Sequence, residues 1–287
     1  MRRRRIAIAT CAAYADLEAD DELLRAALAQ RGCEAEAVVW DGEQPDWGEL
    51  EGCLIRSTWD YHDKHDRFLA WTREVAASTR LWNPPQLVAW NSNKSYLREL
   101  EEGGVRIVPT AWVGRDEDAD LAGLLAGRGW KEAVVKPVVD LGARNLHRVG
   151  AGEGSAALDA VLTRSEVAMV QRFLPSLQAE GELSLVFIAG RLSHAVRKRP
   201  APGDFRVQSI WGGTVEPAQP EPASVELAER ALSQLDGPPL YGRVDLVTDL
   251  DGNPCLIELE LIEPNLYLTQ HPAAAEALAD AVLRLLR

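Results

Sequence analysis

The chain has 287 residues, 46% hydrophobic and 26% charged, which suffices for a sizeable core in two or three compact units and excludes a disordered chain. A net charge of −13 excludes nucleic acid or an anionic membrane as the main partner, while leaving room for a local basic pocket for phosphate. No apolar run approaches the ~18 residues of a membrane span. The basic start, Met1 to Arg5, resembles a signal-peptide n-region, but the apolar run after it is short and leads into an acidic helix, so it reads as charge flanking a first strand. Cys11, Cys33, Cys53 and Cys255 lack metal or redox spacing and fit reduced, buried thiols of a soluble cytoplasmic protein.

Ile6 to Cys11 reads as the first strand, and a helical pattern runs from about Asp16 to Arg31 with an apolar stripe through Leu17, Leu24 and Leu28. Glu36 to Trp40, Cys53 to Ser57 and Arg80 to Trp82 read as strands, and Phe68 to Ala77 as a helix. Alternating strands and helices predict an open, mostly parallel α/β sheet, which binds ligands at the carboxyl ends of its strands. Tyr14 and the run Arg56, Ser57, Thr58, Trp59, Asp60, Tyr61 fall there. Arg56 offers a fork for a carboxylate, and Trp59 and Tyr61 can wall a pocket; they equally suit a surface ion pair and core aromatics. His62, Asp63, His65 and Asp66 match no metal motif and read as a solvated helix start.

Asn83-Pro84-Pro85 breaks this first unit. A helix from Ser92 to Glu102 carrying Lys94 follows, then strands over Val105 to Val113 and Ala133 to Val139. Lys136 interrupts the second of these, and a lysine there either leaves through an exposed face or is aimed at an anion. Val139 to Arg144 is a loop able to close over phosphates, though weak as a motif. Asn145 to Val149 is a further strand, Ala156 to Thr163 a helix, and Val167 to Val170 a strand running into Gln171 to Pro175, a connection that can frame a base edge or be an ordinary linker. Glu182 to Ile188 and Arg191 to Lys198 form a hairpin about Ala189-Gly190 that sets Glu182 opposite Arg197. Arg197, Lys198, Arg199 and Arg206 belong to an unusually basic stretch that suits a polyphosphate or a solvated loop. Helices are expected over Val225 to Leu235 and Ala273 to Leu286.

The most informative stretch is Tyr241 to Tyr267. Two strands joined at Asp251-Gly252, a dipeptide suited to a type I′ turn, put Asp245 opposite Glu258 and Arg243 opposite Glu260. All four then share one face, while Val244, Leu246, Ile257, Leu259 and Leu261 share the other. Facing carboxylates repel by roughly 0.2 to 1 kcal/mol unless a cation intervenes. The charged face is therefore a Mg²⁺ site completed by phosphates or a solvated surface.

Taken together, Asn83-Pro84 with Lys94, Val135-Lys136-Pro137, Gln171 to Leu174, Gly203 to Arg206 with Gly212-Gly213, and Arg243-Val244-Asp245 through Glu258 resemble the ATP-grasp ligases. The ordered combination is most similar to the glutathione synthetase and D-alanine:D-alanine ligase branch and extends over nearly the whole chain. The resemblance implies an N-terminal α/β acceptor domain at 1–90, a central ATP-grasp lid at 91–170 and a C-terminal ATP-grasp subdomain at 171–287. It further implies ATP held by Lys94, Lys136, Gln171, Phe173, Leu174, Glu182 and Lys198, and Asp245, Glu258 and Glu260 on two Mg²⁺ ions, with Mn²⁺ as a substitute. Arg206 and Arg243 would steady the γ-phosphate. Tyr14, Arg56, Thr58, Trp59, Tyr61 and Asn265 would surround a small amino-acid-like acceptor.

The family's usual Asn is Glu260 here, so Glu260 either ligates metal or pairs with Arg243. Thr214 replaces an Arg common in glutathione synthetases, against glutathione-type recognition. The expected activity is ATP-dependent conversion of a carboxylate to an acyl-phosphate, captured by an amine of a second molecule or of the same one, as in the O-ureidoserine cyclo-ligases that form cycloserine. The competing readings are an ATP-binding regulatory module and a small-molecule kinase. Assembly as a homodimer or homotetramer fits the resemblance.

Overall fold

The computed structural model describes residues 4–153 and 155–286. Met1, Arg2 and Arg3 of the basic start lie outside the described residues. β1 (Arg4–Thr10), α1 (Ala19–Gln30), β2 (Cys33–Val39), β3 (Gly52–Ile55), α2 (His65–Ser78) and β4 (Arg80–Trp82) build a parallel sheet in the order β2-β1-β3-β4. Alternation along β1 sends Ile6 and Ile8 toward α1 and Ala7 and Ala9 toward α2, so both faces are covered. The helix expected from Asp16 starts later, because Glu18 caps it by accepting from Asp20 N at 2.9 Å.

Pro84 and Pro85 start a helix as well as ending the first unit. α3 (Pro85–Asn91) has proline in its first turn, where the missing N–H has no intrahelical partner to lose. α4 (Tyr96–Glu102) follows, so Lys94 lies in the turn between two helices and not inside one.

β5 (Thr110–Gly114), α5 (Leu121–Gly127), β6 (Glu132–Pro137), β7 (His147–Gly150), α6 (Ala156–Leu162) and β8 (Val167–Arg172) form an antiparallel sheet ordered β5-β8-β6-β7. Ala133 and Val135 pack under α5 and α6, which turns Val134 and Lys136 to the helix-free face. β8 stays paired through Arg172; a division after residue 170 therefore falls inside a strand.

α7 (Ser176–Ala179), β9 (Glu182–Ile188), β10 (Arg191–Arg199), β11 (Thr214–Ala218), α8 (Pro222–Ser233), β12 (Tyr241–Thr248), β13 (Pro254–Glu260) and α9 (Ala273–Leu285) complete the chain. Their antiparallel sheet runs β11-β10-β9-β12-β13. One face sets Leu183, Leu185, Phe187, Val244 and Leu246 against α4 and α8. The opposite face changes character along its length. Val186, Ile188, Val196 and Tyr241 pack on α9 and the first sheet, whereas Glu182, Ser184, Lys198, Arg243 and Asp245, one or two pleats further on, are polar or charged. The apolar half docks the first sheet and the charged half is left to the site.

The edge strand β13 is closed by side chains from α3, α4 and the segment before them. Asn91 donates to Leu259 O and accepts from Leu261 N, both at 2.8 Å. Tyr96 Oη accepts from Leu259 N at 2.8 Å, and Asn83 donates to Leu261 O at 2.7 Å. These contacts satisfy an edge that would otherwise be unpaired and hold Lys94, between Asn91 and Tyr96, over β13.

The register of β12 and β13 places Arg243 opposite Glu260 and Asp245 opposite Glu258. The turn differs from the two-residue expectation. Thr248 pairs with Pro254, and residues 249–253 form a wider loop around Asp249, which accepts from Asp251 N and Asn253 N at 2.9 Å each. A bulge at Ile257 compensates for the extra residue and brings Ile257 to the cleft, not to the apolar back. The β9–β10 hairpin turns at Ala189 and Gly190, both with positive φ. A second irregularity between Leu192 and His194 sets Glu182 opposite Lys198 and Arg197 opposite Leu183, which corrects the Glu182–Arg197 pairing. No helix among the described residues is long and apolar enough to cross a membrane, and all four cysteines are buried free thiols.

Candidate active site

A cavity of about 480 Å³ lies between the helix-free face of the middle sheet and the charged half of the third sheet, and reaches the carboxyl ends of the first sheet's strands. Its volume is ordinary for a small-molecule site.

Lys136 and Gln171 enter from the middle sheet. Lys136 is 6% exposed, and among the described residues it is the buried cation of the cleft with neither an ion pair nor a hydrogen bond. Burial holds its ammonium below the ordinary lysine range despite nearby Glu258. Gln171 Nε2 donates to Thr110 Oγ1 at 3.3 Å. Lys94 reaches down from the turn above β13, with its Nζ 3.0 Å from Glu258 Oε1 and donating to Asp140 O at 2.6 Å.

The third sheet supplies an interlocked set of charges. Lys198 bridges Glu182 and Asp245, with Nζ 3.1 Å from Asp245 Oδ2. Gly181 permits this closeness, since a Cβ there would lie 2.1 Å from Lys198 O. Asp245 also accepts from Ser184 Oγ at 2.6 Å and Arg243 Nε at 2.9 Å. Arg243 continues to Glu260 and donates to Asn265 O at 3.0 Å. Burial opposes ionisation of Asp245, but Arg243 and Lys198 prevail and hold its carboxyl well below the usual range. Burial would likewise raise Glu258, yet Lys94 and Lys136 hold it low. At Glu260 burial wins over Arg243, aided by Glu258 and Asp245, and the carboxyl is pushed up to about 7. Arg206 lies over the Trp211 ring at 3.6 Å and pairs with Asp204 at 2.7 Å. Trp211 Nε1 donates to Gly142 O at 3.0 Å, so the basic loop crosses to the middle sheet's loop and roofs the cleft.

Tyr14, Trp59 and Asn265 line the end of the cleft beside the first sheet, with Tyr14 and Trp59 edge to face at 5.0 Å. Arg56, Thr58 and Tyr61 do not line the cleft, which corrects their expected role against substrate. Arg56 is 2% exposed, donates to Asp21 Oδ1 at 2.8 Å and Pro264 O at 2.9 Å, and has no carboxylate-facing fork to offer. Thr58 is fully buried, and Tyr61 stacks on Phe68 at 4.6 Å in the first unit's core. Phe173 and Leu174 also lie outside the lining: Phe173 packs between Phe205 and Arg148, and Leu174 packs with Val108, Val247 and Cys255. The apolar wall near Gln171 is instead formed by Val134, Leu177, Phe205 and Ile257. Glu263 and Tyr267 are further cleft residues that the sequence left unmarked, since neither sits in a strand whose alternation would aim it.

Two family profiles match: one described as the N-terminal domain of D-cycloserine synthetase DcsG over residues 6–83, the other as the ATP-grasp domain of prokaryotic glutathione synthetase over residues 105–249. The cycloserine biosynthesis protein DcsG of Streptomyces lavendulae is 32% identical across 98% of this chain and 99% of its own. The chain belongs to the ATP-grasp ligases.

The glutathione synthetase of Prochlorococcus marinus (strain MIT 9313) is 35% identical over 51% of this chain and 46% of its own. Among solved structures, that of D-cycloserine synthetase DcsG superposes with a TM-score of 0.88 at 30% identity, covering 99% of this chain and 100% of that one. D-alanine–D-alanine ligase from Bacillus anthracis shares the fold, with a TM-score of 0.70 at 13% identity, 99% of this chain and 97% of that one being covered. The mixed α/β ATP-grasp fold with its N-terminal parallel sheet is thus shown, and the protein is an enzyme, an ATP-dependent carboxylate ligase.

Use of ATP with Mg²⁺ goes with the family. Among the described residues no three His, Cys, Asp or Glu side chains converge to hold a metal by themselves. The donor chemistry nevertheless fits a hard cation shared with phosphates. Glu258 and Glu260 present partly open carboxylates, with 27% and 22% of their side chains exposed. Asp245, 1% exposed, lies behind them with its oxygens taken by Ser184, Lys198 and Arg243.

Proposed function

We propose that this ATP-grasp ligase activates the carboxylate of a small amino-acid-like molecule as an acyl-phosphate, which an amine or related nucleophile captures within the same molecule or from a second one. The observation that carries the nucleotide half of this reading is Lys136, a desolvated cation with no ion pair among the described residues, facing the carboxylates of β13 across a cleft of suitable size. A triphosphate supplies the missing anion. The acceptor half rests on Tyr14, Trp59 and Asn265 at the far end of the same cleft, and on the relative named for cycloserine biosynthesis.

Phosphates entering between the sheets meet Lys136 and Lys94 from above and Lys198, Arg206 and Arg243 from below, while Gln171 and the wall of Val134, Leu177 and Ile257 take the base. Glu258 and Glu260 would hold Mg²⁺, with Asp245 behind them fixing Lys198 and Arg243. The metal, when bound, neutralises charge on the transferring oxygens. The chain itself aligns and excludes water. Arg243, anchored through Asp245 and Asn265 O, keeps its guanidinium where the γ-phosphoryl group meets the acceptor. The acceptor's carboxylate oxygen attacks phosphorus as the bond to ADP breaks. The nucleophile's nitrogen then forms its bond to the acyl carbon, loses a proton, and inorganic phosphate leaves. No side-chain nucleophile takes part, so positioning and charge neutralisation account for the catalysis.

Incubation with ATP, Mg²⁺, hydroxylamine and a panel of amino acids including O-ureidoserine tests this reading. Hydroxamate together with ADP is expected. A stable phosphate ester would instead mark a kinase, and saturable ATP binding without ADP under every acceptor would mark a regulatory module. We further place the enzyme in the cytoplasm, where its buried thiols stay reduced, as a homodimer or homotetramer, to be checked by light scattering.

A further inference from the structure

Just as Lys136 is a buried cation with no ion pair, the opposite end of the cleft holds a buried carboxyl with none among the described residues. Glu263 lines the cleft beside Tyr14, Trp59 and Asn265 and is 5% exposed. Among the described residues its side-chain carboxyl makes no ion pair and no hydrogen bond to another side chain. The cations nearest in chemistry are engaged elsewhere: Lys94 with Glu258 and Asp140 O, Arg243 with Asp245 and Glu260, and Arg56 with Asp21 and Pro264 O. Asp60, another carboxylate at this end, already accepts from Trp40 Nε1 at 2.7 Å.

An unpaired buried carboxyl is costly, and the fold goes to some length to keep this one in place. Trp59 Nε1 donates to Glu263 O at 2.9 Å, and Arg56 holds Pro264 O at 2.9 Å. Arg243 holds Asn265 O at 3.0 Å, and Asp20 accepts from Leu268 N and Thr269 N at 2.8 Å each. The loop from Glu263 to Thr269 is thus pinned along its length by groups of the first and third units, and the carboxyl it carries has its own backbone N–H as a partner but no ion pair among the described residues. Burial, with Glu260 and Glu258 outweighing Lys94, pushes that carboxyl well above the usual carboxylate range, and a cation seated beside it would draw it back to the ionised form.

We propose that Glu263 is a specificity-determining residue that receives the α-ammonium group of the acceptor, with the edge-to-face pair of Tyr14 and Trp59 beside it. This deepens the ligase reading above and rests on it. An α-amino acid carries its ammonium and carboxylate on one carbon. Seating the ammonium at Glu263 turns the carboxylate back toward Arg243 and the phosphate end, whose cations welcome a second negative charge. The cleft then reads as an electrostatic ruler for a zwitterion, anionic at the acceptor end and cationic at the phosphate end. Arg56 and Trp59 act through Glu263 as positioning residues, which gives Arg56 a role that its burial denies it as a direct ligand.

The test compares acids that differ only in the ammonium: serine against 3-hydroxypropionate, alanine against propionate, and O-ureidoserine against its des-amino counterpart, with ADP and hydroxamate as readouts. The wild-type enzyme should prefer the ammonium-bearing member of a pair by about 10-fold to 100-fold in kcat/KM, the range for a hydrogen bond to a charged group. Glu263→Gln should raise the acceptor KM by a similar factor, leave the ATP KM within about twofold and abolish the preference, while Glu263→Asp restores part of it. Equal turnover of both members by the wild-type enzyme, or a preference that survives Glu263→Gln, overturns the proposal while leaving the ligase reading intact. ADP release with none of the acids, despite ATP binding, overturns the ligase reading itself. The wild-type comparison decides the matter even if the variants fail to fold.

Discussion

Replacing Lys136 with methionine separates the two things a buried cation does. In the free protein the ammonium is desolvated and unpaired, and its ordinary value is lowered chiefly by burial. A base held below its unfolded value opposes folding at every pH below its folded value, and the penalty fades as pH rises toward 10.5. Methionine fills similar space without that charge, so Lys136→Met should melt at or above the wild-type temperature near neutral pH. Binding of ATP should move the other way. Unit charges about 4 Å apart at an effective dielectric of about 20 interact by roughly 4 kcal/mol. Allowing for the hydration the phosphate keeps, a charge-assisted hydrogen bond contributes about 1.5 to 3 kcal/mol. ATP should therefore bind about 10-fold to 150-fold more weakly. Calorimetric titration with ATP and Mg²⁺, run beside thermal melts of the free proteins, reads both signs. ATP affinity within about twofold of wild type, or a melt several degrees lower, would refute the assignment of Lys136 to the phosphates.

Other substitutions probe the remaining roles. Glu258→Gln should abolish Mg²⁺-dependent ADP release in a coupled assay while circular dichroism shows the fold retained; unchanged turnover removes Glu258 from the metal site. Arg56→Ala should destabilise the protein by about 3 to 5 kcal/mol, because Asp21 is left buried and unpaired, and urea unfolding would show this as a lower midpoint. His194, stacked on His271 at 4.8 Å, is held down to about 4, first by burial and then by His271. A base with a depressed folded value loses stability as pH falls from 6.5 toward 4, so His194→Gln should flatten the fall in melting temperature across that window.

The pairing that carries the chemistry was readable because side chains alternate along β12 and along β13 from Glu258 onward. Arg243 and Asp245 face Glu260 and Glu258 as the period of two requires, even though the turn between the strands is longer than the Asp251-Gly252 dipeptide suggests, because the bulge at Ile257 takes up the difference. A similar irregularity in β10 had no signal in the sequence and moved Glu182 from Arg197 to Lys198. Lys136 was legible as an anomaly, a charge in an apolar strand, but only the fold shows which face it leaves by. Arg56 misled for a physical reason. Its partner Asp21 lies on α1, and nothing local tells an arginine seeking a substrate from one that holds the Glu263 loop to the first sheet. Glu263 escaped notice for the complementary reason, since a loop has no periodicity and its burial is decided by groups far away in the chain.

Carboxylate activation leaves an isotopic trace. With O-ureidoserine labelled by ¹⁸O in its carboxylate, plus ATP and Mg²⁺, each turnover should place one labelled oxygen in inorganic phosphate, read by the mass of the phosphate released. Phosphate carrying only unlabelled oxygen while product forms would mean that no acyl-phosphate is made in this cleft.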